Sequence, residues 1–235
     1  MRAQRLLSCL LVFGVLAAFS SAYAQGLSVK RLAKKDAIFK YEMNATVDVL
    51  GISTQAVIKA VSSEKITNVA EDGSYSIEET QLSASMTINN QTRDDVKAET
   101  LTTTFSPDGR VVTVEGSSDA VNSRRIANMG VIIDPGKPLA VGEKWVAEIK
   151  EDAAKNVIGV QASYEILAEE KVGDVDTIKV KASLKESTGS APLSCEATYW
   201  IDKADGSRVK SESVWKGFPS PGGIYNATIS YARVP

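Results

Sequence analysis

Apolar and polar residues alternate along most of this chain. In the clearest run, every second residue from Phe39 to Val49 is apolar, and polar residues occupy the positions between them. The same alternation recurs over residues 158–166, 178–184 and 225–231. Successive side chains of a β-strand point to opposite faces, so this pattern predicts amphipathic strands. One apolar and one polar face are typical of an antiparallel sheet with a single solvent-exposed side.

Turn residues separate the alternating runs, and one long strand changes phase. Gly-containing pairs that favour hairpin turns occur at Leu50-Gly51, Asp72-Gly73, Asp108-Gly109 and Asp205-Gly206. Between two of these turns, the apolar residues Tyr75 and Ile77 are odd-numbered, whereas those from Leu82 to Ile88 are even-numbered. A β-bulge or bend near Glu78 to Gln81 would return both sets to one face and would curve the sheet.

Only two segments have the features of a helix. Residues 118–129 follow a potential N-cap at Ser117 or Ser118 and precede Gly130. Residues 27–36 are compatible with a short helix or an extended arm. The Pro- and Gly-rich residues 131–142 are typical of a connector. The sequence therefore predicts an N-terminal β lobe over 25–130 that ends in a short helix, and a C-terminal β lobe over 143–235.

The two lobes contain similar sequences. Residues 39–66 align with 145–172 without a gap at a shift of 106 positions, with six identical residue pairs. Alternating strands also align partly by chance, so the all-β prediction rests on the alternation itself. We expect a curved antiparallel sheet or half-barrel, built from two similar lobes that form either one sheet or two domains.

The first 24 residues have the features of a secretory signal peptide. Arg2 and Arg5 precede an apolar segment of 13 residues from Leu6 to Ala18, and Ala22-Tyr23-Ala24 is a small-x-small cleavage site. This apolar segment is too short to cross the ~30 Å hydrocarbon core of a bilayer as a helix. The sequence thus predicts an exported protein, periplasmic or secreted, without a stable transmembrane span after cleavage.

Composition excludes several classes of function. Loss of Arg2 and Arg5 would change the formal charge from −2 to −4, and the charges of both signs are interspersed, which gives no case for nucleic-acid binding. Cys195 is the only cysteine after the signal peptide, and it shares an apolar strand face, so we expect a buried thiol. The chain has no histidine, the commonest general base and metal ligand. We predict no cofactor and no metal.

The sequence contains no motif that indicates catalysis. Three Ser-x-x-Lys matches begin at Ser62, Ser207 and Ser213, but they lie in predicted strands or turns. Residues three apart on a strand face opposite sides, so the lysine cannot reach the serine hydroxyl. The acidic turn at residues 202–206 fails as a calcium loop, because Ile201 and Lys203 would occupy ligand positions. A non-enzymatic protein is therefore predicted.

Aromatic residues on the apolar strand faces are the remaining candidates for a site. They are candidates for core packing or for ligand binding, and the ligand-binding candidates are Tyr41, Trp145, Tyr164 and Tyr199. About ten amphipathic strands present more apolar surface than one short helix can cover. Either the two lobes pack face to face, or the curved sheet encloses an apolar cavity. A membrane barrel also has alternating strands, but aromatic residues are only 6% of this chain.

Two stretches resemble known exported proteins. Residues 138–145 resemble poorly characterised bacterial exported proteins, in which a proline-containing loop leads through Val-Gly-x-x-Trp into a strand. Tyr199-Trp200-Ile201-Asp202, followed by Asp205-Gly206 and Lys210, is similar to a late hairpin of Lol-type lipoprotein carriers. That resemblance implies a curved, unclosed antiparallel sheet over an apolar cavity, and lipid or lipoprotein handling. The chain departs from it in having less helix and an apparent duplication.

Three functional hypotheses follow. The first is a non-enzymatic protein that binds an apolar or lipid-like ligand or a cell-envelope partner. The second is a structural or assembly protein of the envelope without a small-molecule ligand. The third is an enzyme, which would require titratable groups with shifted pKa values in a cleft. The sequence leaves the oligomeric state open.

Overall fold

A computed structural model describes residues 26–48, 55–94, 100–189, 191–220 and 223–235. The predicted signal peptide and the Leu50-Gly51 turn lie outside these residues. The described part contains one α-helix, α1 (Ala120–Met129), one 3-10 turn (Ala153–Lys155) and twelve strands. The strands are β1 (Ile38–Asp48), β2 (Gln55–Val69), β3 (Tyr75–Ile88), β4 (Gln91–Arg93), β5 (Thr100–Phe105), β6 (Val111–Glu115), β7 (Lys144–Ile149), β8 (Val160–Val172), β9 (Val175–Glu186), β10 (Ser194–Asp202), β11 (Arg208–Ser220) and β12 (Gly223–Val234).

All twelve strands belong to one antiparallel sheet. Its order is β6-β5-β3-β2-β1-β12-β11-β10-β9-β8-β7, with β4 paired to β3. Strands β1–β6 form one up-and-down meander and β7–β12 form another. These two halves of the sheet, called here the N-terminal and C-terminal lobes, join where β1 pairs with β12. The sheet is curved, and it does not close, because β6 and β7 remain its two edges. The predicted all-β fold with a curved, unclosed antiparallel sheet is confirmed, and the two lobes share a single sheet.

The first hairpin of each lobe has its own register. Phe39 lies opposite Glu64 across β1 and β2. Trp145, which aligns with Phe39 in the apparent repeat, lies opposite Tyr164, whereas Glu64 aligns with Glu170. The ungapped alignment therefore matches strand with strand, but it does not match the cross-strand partners.

A β-bulge explains the phase change in β3. Val61 pairs with Ser83 and Ser62 pairs with Gln81, which leaves Leu82 as the extra residue. Leu82 is 53% exposed. The bulge lies directly after the predicted segment at 78–81, and it places the apolar residues on either side of it on the same face of the sheet.

The inner face of the sheet, defined here as the face that carries Tyr41, Tyr164 and Tyr199, is covered most completely in the C-terminal lobe. There, Met129 at the end of α1 and Ile133 and Leu139 of the connector are buried in the same core as the inward residues of β8, β9 and β10. The N-terminal residues 26–33 form an extended arm that begins with a bridge between Leu27 and Leu139. The segment at 27–36 thus adopts the extended alternative, because its residues bond to the connector and to a turn of the sheet.

Helix α1 is anchored by side-chain hydrogen bonds to strands of both lobes. Its N-cap is Asp119, one residue after the predicted serines, because the Asp119 carboxylate accepts a hydrogen bond from the Asn122 backbone N–H. Arg125 donates two hydrogen bonds of 2.8 Å to the buried carboxylate of Glu186 at the end of β9. Arg124 donates to the carbonyl of Val112 in the edge strand β6. The helix therefore links the β6 edge to the opposite lobe.

Candidate functional site

A cavity of about 180 Å³ lies between the inner face, the N-terminal arm and the connector. The cavity lies where the β5–β6 turn and the β10–β11 turn approach the N-terminal arm and the connector. Its wall combines aromatic rings with charged side chains. The principal lining residues are Arg31, Tyr41, Glu64, Tyr75, Ile77, Phe105, Asp108, Asp134, Tyr199, Ile201 and Arg208.

The four candidate residues from the sequence separate into two pairs. Tyr41 and Tyr199 line the cavity. Trp145 and Tyr164 instead stack on each other, with ring centroids 4.8 Å apart. The Trp145 Nε1–H donates to the Ile133 carbonyl at 2.8 Å, and the Tyr164 hydroxyl donates to the Val131 carbonyl at 3.1 Å. These two side chains thus hold the connector against the sheet, and a direct ligand-binding role for all four residues stays a prediction.

A second β-bulge turns a charged residue into the cavity. Trp200 pairs with Lys210 and Ile201 pairs with Arg208, so Val209 is the extra residue in β11. Arg208 consequently shares the inner face with the buried Ile201. Bulges commonly re-aim a side chain in this way. Sequence alternation does not predict that Arg208 faces inward. In a regular strand the inner face would carry Val209, Ser211, Ser213 and Trp215, and Arg208 would lie on the outer face.

Arg208 is held by a carboxylate and two aromatic rings. Its Nη2 donates to Glu64 Oε1 at 2.6 Å. Its guanidinium lies 4.8 Å from the ring centroid of Tyr41 and 4.4 Å from that of Tyr231. The Tyr41 hydroxyl donates to the Arg208 carbonyl at 2.9 Å. A cation placed over aromatic faces is stabilised by the ring quadrupole, so this cluster compensates for the partial burial of the charge.

The same cluster contains a second carboxyl group. Glu79 lies directly opposite Glu64 across β2 and β3. Burial raises the pKa of Glu79, and the nearby Glu64 carboxylate raises it further, while Arg208 lowers it. Burial likewise raises the pKa of Tyr231 to about 12. Glu64 therefore pairs with the Arg208 guanidinium while Glu79 is a second carboxyl group beside it, and the tyrosine hydroxyls around them stay protonated at neutral pH.

The N-terminal arm forms one side of the cavity and is bonded to the β10–β11 turn. Arg31 Nη1 donates to the Asp205 carboxylate at 3.0 Å, and the Leu32 N–H donates to the Asp205 carbonyl at 2.8 Å. Gly206 has a φ of 70°, and a Cβ there would collide with the Lys30 carbonyl oxygen. The glycine of the Asp205-Gly206 turn thus permits both the turn and the close approach of the arm.

A ring stack forms part of the apolar wall of the cavity. Tyr75 and Phe105 lie opposite each other in β3 and β5, with ring centroids 5.1 Å apart and an interplanar angle of 21°. Burial raises the pKa of Tyr75 to about 12 and raises that of Tyr199 well above its ordinary value. Neither hydroxyl forms a hydrogen bond to another of the described residues. Both are therefore available as hydrogen-bonding groups at the cavity.

The described residues include no cluster of three or more acidic or cysteine side chains that could hold a metal ion. Within the same ranges, no helix is both long enough and apolar enough to cross a membrane.

No protein-family model matches the chain, and no curated protein matches it. One solved structure that matches is a Bacteroides fragilis protein, inferred to be exported and described as having a YmcC-like fold. It has 11% sequence identity and a TM-score of 0.33, over 89% of this chain and 100% of that one. This likeness is too low to support a functional conclusion, and the resemblance of residues 199–210 to Lol-type lipoprotein carriers stays a prediction.

Proposed function

We propose that this protein is an exported, non-enzymatic binding protein that holds a small, partly apolar ligand in its inner-face cavity. The observation that carries this proposal is the half-open concave space of about 180 Å³ beneath the arm and the connector. Ligand sites are typically concave and apolar, with a few polar groups that orient the ligand. The Tyr75–Phe105 stack supplies the apolar surface, and Arg208 with Glu64 supplies polar groups.

The size of the cavity defines the size of the ligand. An engineered apolar cavity of about 150 Å³ holds benzene, whereas pockets for drug-sized ligands are roughly 300–1,000 Å³. The cavity therefore matches a molecule with a short apolar body. The acyl chain of a lipid-like ligand would have to extend beyond it, along the half-buried inner-face residues Met43, Val47 and Ile58.

The assignment as an exported, non-enzymatic protein rests on the sequence. The signal-peptide features of residues 1–24 support export to the periplasm or the exterior. The lack of histidine and of a catalytic motif in the sequence supports a role in binding. The tyrosine hydroxyls at the cavity are protonated at neutral pH and can form hydrogen bonds to a ligand.

A pair of matched variants tests this proposal. Val29 lines the cavity and is 5% exposed, whereas Val214 on the outer face is 49% exposed. Protein purified from its own host is examined by native mass spectrometry and by solvent extraction. We expect a bound small molecule in the natural protein and in Val214→Phe, and its loss in Val29→Phe, where the larger ring fills the cavity. Equal occupancy in both variants, or no ligand in the natural protein, would contradict the proposal.

An exposed sheet edge favours assembly with a partner chain as the second candidate function. In the described part of the chain, β7 pairs only with β8, and Val146 in β7 is 82% exposed. Unpaired edge strands readily pair with another strand. This alternative predicts a defined oligomer in light scattering that Val146→Lys disrupts. A monomer at all concentrations would exclude self-assembly through this edge.

A further inference from the structure

Side chains of opposite charge meet at the inner-face cavity. Arg31 and Arg208 line it, and so do Glu64, Asp108 and Asp134. Most of these groups also belong to ion pairs: Arg31 with Asp205, Arg208 with Glu64, and Asp108 with Arg110. The wall is therefore close to electrically neutral as a whole, but it presents separate positive and negative groups.

Both kinds of charge retain hydrogen-bonding capacity. Among the described residues, Arg31 bonds only through Nη1 and Arg208 only through Nη2, although a guanidinium has five N–H donors. Asp134 accepts one hydrogen bond, from the Gly136 N–H at 3.2 Å, and has no cationic partner in the described part of the chain. The cavity thus offers donors from guanidinium groups and acceptors from a carboxylate.

The charges constrain the class of ligand. An anion would be drawn to Arg31 and Arg208, but would be repelled by Asp134 and Glu64. A simple cation would be attracted by the two carboxylates but repelled by the two guanidinium groups. A wholly apolar molecule would remove these charged groups from water without replacing their hydrogen bonds, which is costly. A ligand that carries both charges avoids each of these costs.

We propose that the cavity binds a small zwitterion of the amino-acid type, with its carboxylate toward Arg31 and Arg208 and its ammonium group toward Asp134. The apolar side chain of this ligand packs on the Tyr75–Phe105 stack. The volume of about 180 Å³ limits that side chain to a short branched or unbranched group. This inference rests on the proposed function, since it names the ligand class of the same cavity.

Three probes that share the 3-methylbutyl unit separate the charge requirements. Leucine carries both charges, isopentylamine only the ammonium group and 4-methylpentanoate only the carboxylate. Each is titrated into the exported protein by isothermal calorimetry, after ligand removal by partial unfolding and refolding. We expect leucine to bind at least tenfold more tightly than either analogue. Equal or tighter binding of a singly charged analogue, or no binding of leucine, would overturn the inference.

A variant of the unpaired carboxylate gives an independent readout. Asp134→Asn should weaken leucine and isopentylamine at least tenfold, while 4-methylpentanoate binds as well or better. Asp72→Asn is the control, because Asp72 lies in an exposed hairpin turn where it accepts from Ser74. Unchanged leucine binding in Asp134→Asn contradicts the proposed orientation. A natural ligand that carries no ammonium group would refute the zwitterion while leaving the binding function intact.

Discussion

Arg208 and Glu64 lie 144 positions apart in the sequence, yet their side chains meet at 2.6 Å. The contact joins β11 to β2 across the two strands, β12 and β1, that unite the lobes. It exists because the bulge at Val209 brings Arg208 to the inner face. The junction between the lobes therefore depends on a charged contact as well as on the β1–β12 ladder.

Removal of Arg208 should destabilise the protein strongly. Its side chain is 27% exposed and that of Glu64 is 16% exposed, so Arg208→Met leaves a largely buried carboxylate without its partner. Loss of one member of a buried pair costs several kcal/mol, and we expect the free energy of unfolding to fall by about 3 kcal/mol. Urea denaturation followed by tryptophan fluorescence measures this change.

The Lys171–Asp176 pair is the matched control. Its atoms are 3.0 Å apart, but both side chains are about two-thirds exposed, at 64% and 66%. Exposed ion pairs contribute little, so Lys171→Met should cost less than about 1 kcal/mol. If both substitutions cost the same, the inner-face pair would have no special structural role.

Replacement of Glu79 should increase stability at neutral and higher pH. Burial and the adjacent Glu64 raise its pKa above the ordinary value of 4.5. Because the pKa is raised in the folded state, the contribution of Glu79 to the stability of the protein is fully present below the pKa of the unfolded state. This contribution is lost as the pH rises through the pKa of the folded state. Glu79→Gln keeps an uncharged, hydrogen-bonding side chain at every pH. Its stability should match the natural protein near pH 4 and exceed it near pH 8.

The neighbouring Glu78 controls for a general effect of charge. Glu78 pairs with Lys65, and alternation along the strand places it on the outer face. Denaturation curves of Glu78→Gln should differ from those of the natural protein by less than about 0.5 kcal/mol. A stability difference for Glu79→Gln that does not change with pH would contradict the raised pKa.

The regular strands could be predicted from the sequence because alternation reports directly on the two faces of a sheet. Phe39 to Val49 predicts β1, whose described part runs from Ile38 to Asp48. The phase change in β3 predicts a bulge or bend near Glu78 to Gln81, and the structure has the bulge at the next residue, Leu82. The β1–β12 junction could not be predicted in the same way, since strand pairing between distant segments has no local signature in the chain.

The lining of the candidate cavity could be predicted only in part, for the same physical reason. Tyr41 and Tyr199 follow the alternation and do line the cavity. Arg208 departs from it, because the bulge at Val209 reverses its direction, and a charged residue within an amphipathic strand is ordinarily assigned to solvent. Arg31 lies in the extended arm, where no periodic pattern indicates which side chains turn inward.

Loss of the Tyr164 hydroxyl should cost more than loss of the Tyr199 hydroxyl. Tyr164 donates to the Val131 carbonyl, and Tyr164→Phe would leave that buried acceptor unpaired at a cost of about 1–2 kcal/mol. Tyr199 forms no hydrogen bond to the other described residues, so Tyr199→Phe should change stability by less than about 0.5 kcal/mol. Chemical denaturation of both variants measures the two changes in the free energy of unfolding. Equal costs would show that the connector is not held through Tyr164.

Disruption of the Arg125–Glu186 pair should release α1 from the sheet. The Glu186 carboxylate is 1% exposed, and it also accepts from the Leu193 N–H at 2.7 Å. Arg125→Met should therefore cost about 3–5 kcal/mol and increase hydrogen exchange of the α1 amides. Arg124→Met removes one hydrogen bond to the Val112 carbonyl and should cost about 1 kcal/mol. Unchanged exchange in Arg125→Met would show that apolar contacts alone hold the helix.

The thiol of Cys195 should be unreactive in the folded protein. It is 0% exposed, and burial, reinforced by the nearby Glu196 carboxylate, raises its pKa to about 12. Because the thiolate is the reactive form, a pKa this far above 8 leaves very little reactive thiol at pH 8 even if the reagent could enter. We expect no alkylation by iodoacetamide in the native state and complete alkylation in guanidinium chloride. Ser163→Cys supplies an exposed thiol on the outer face of β8, and equal rates for the two thiols in the native protein would contradict the burial of Cys195.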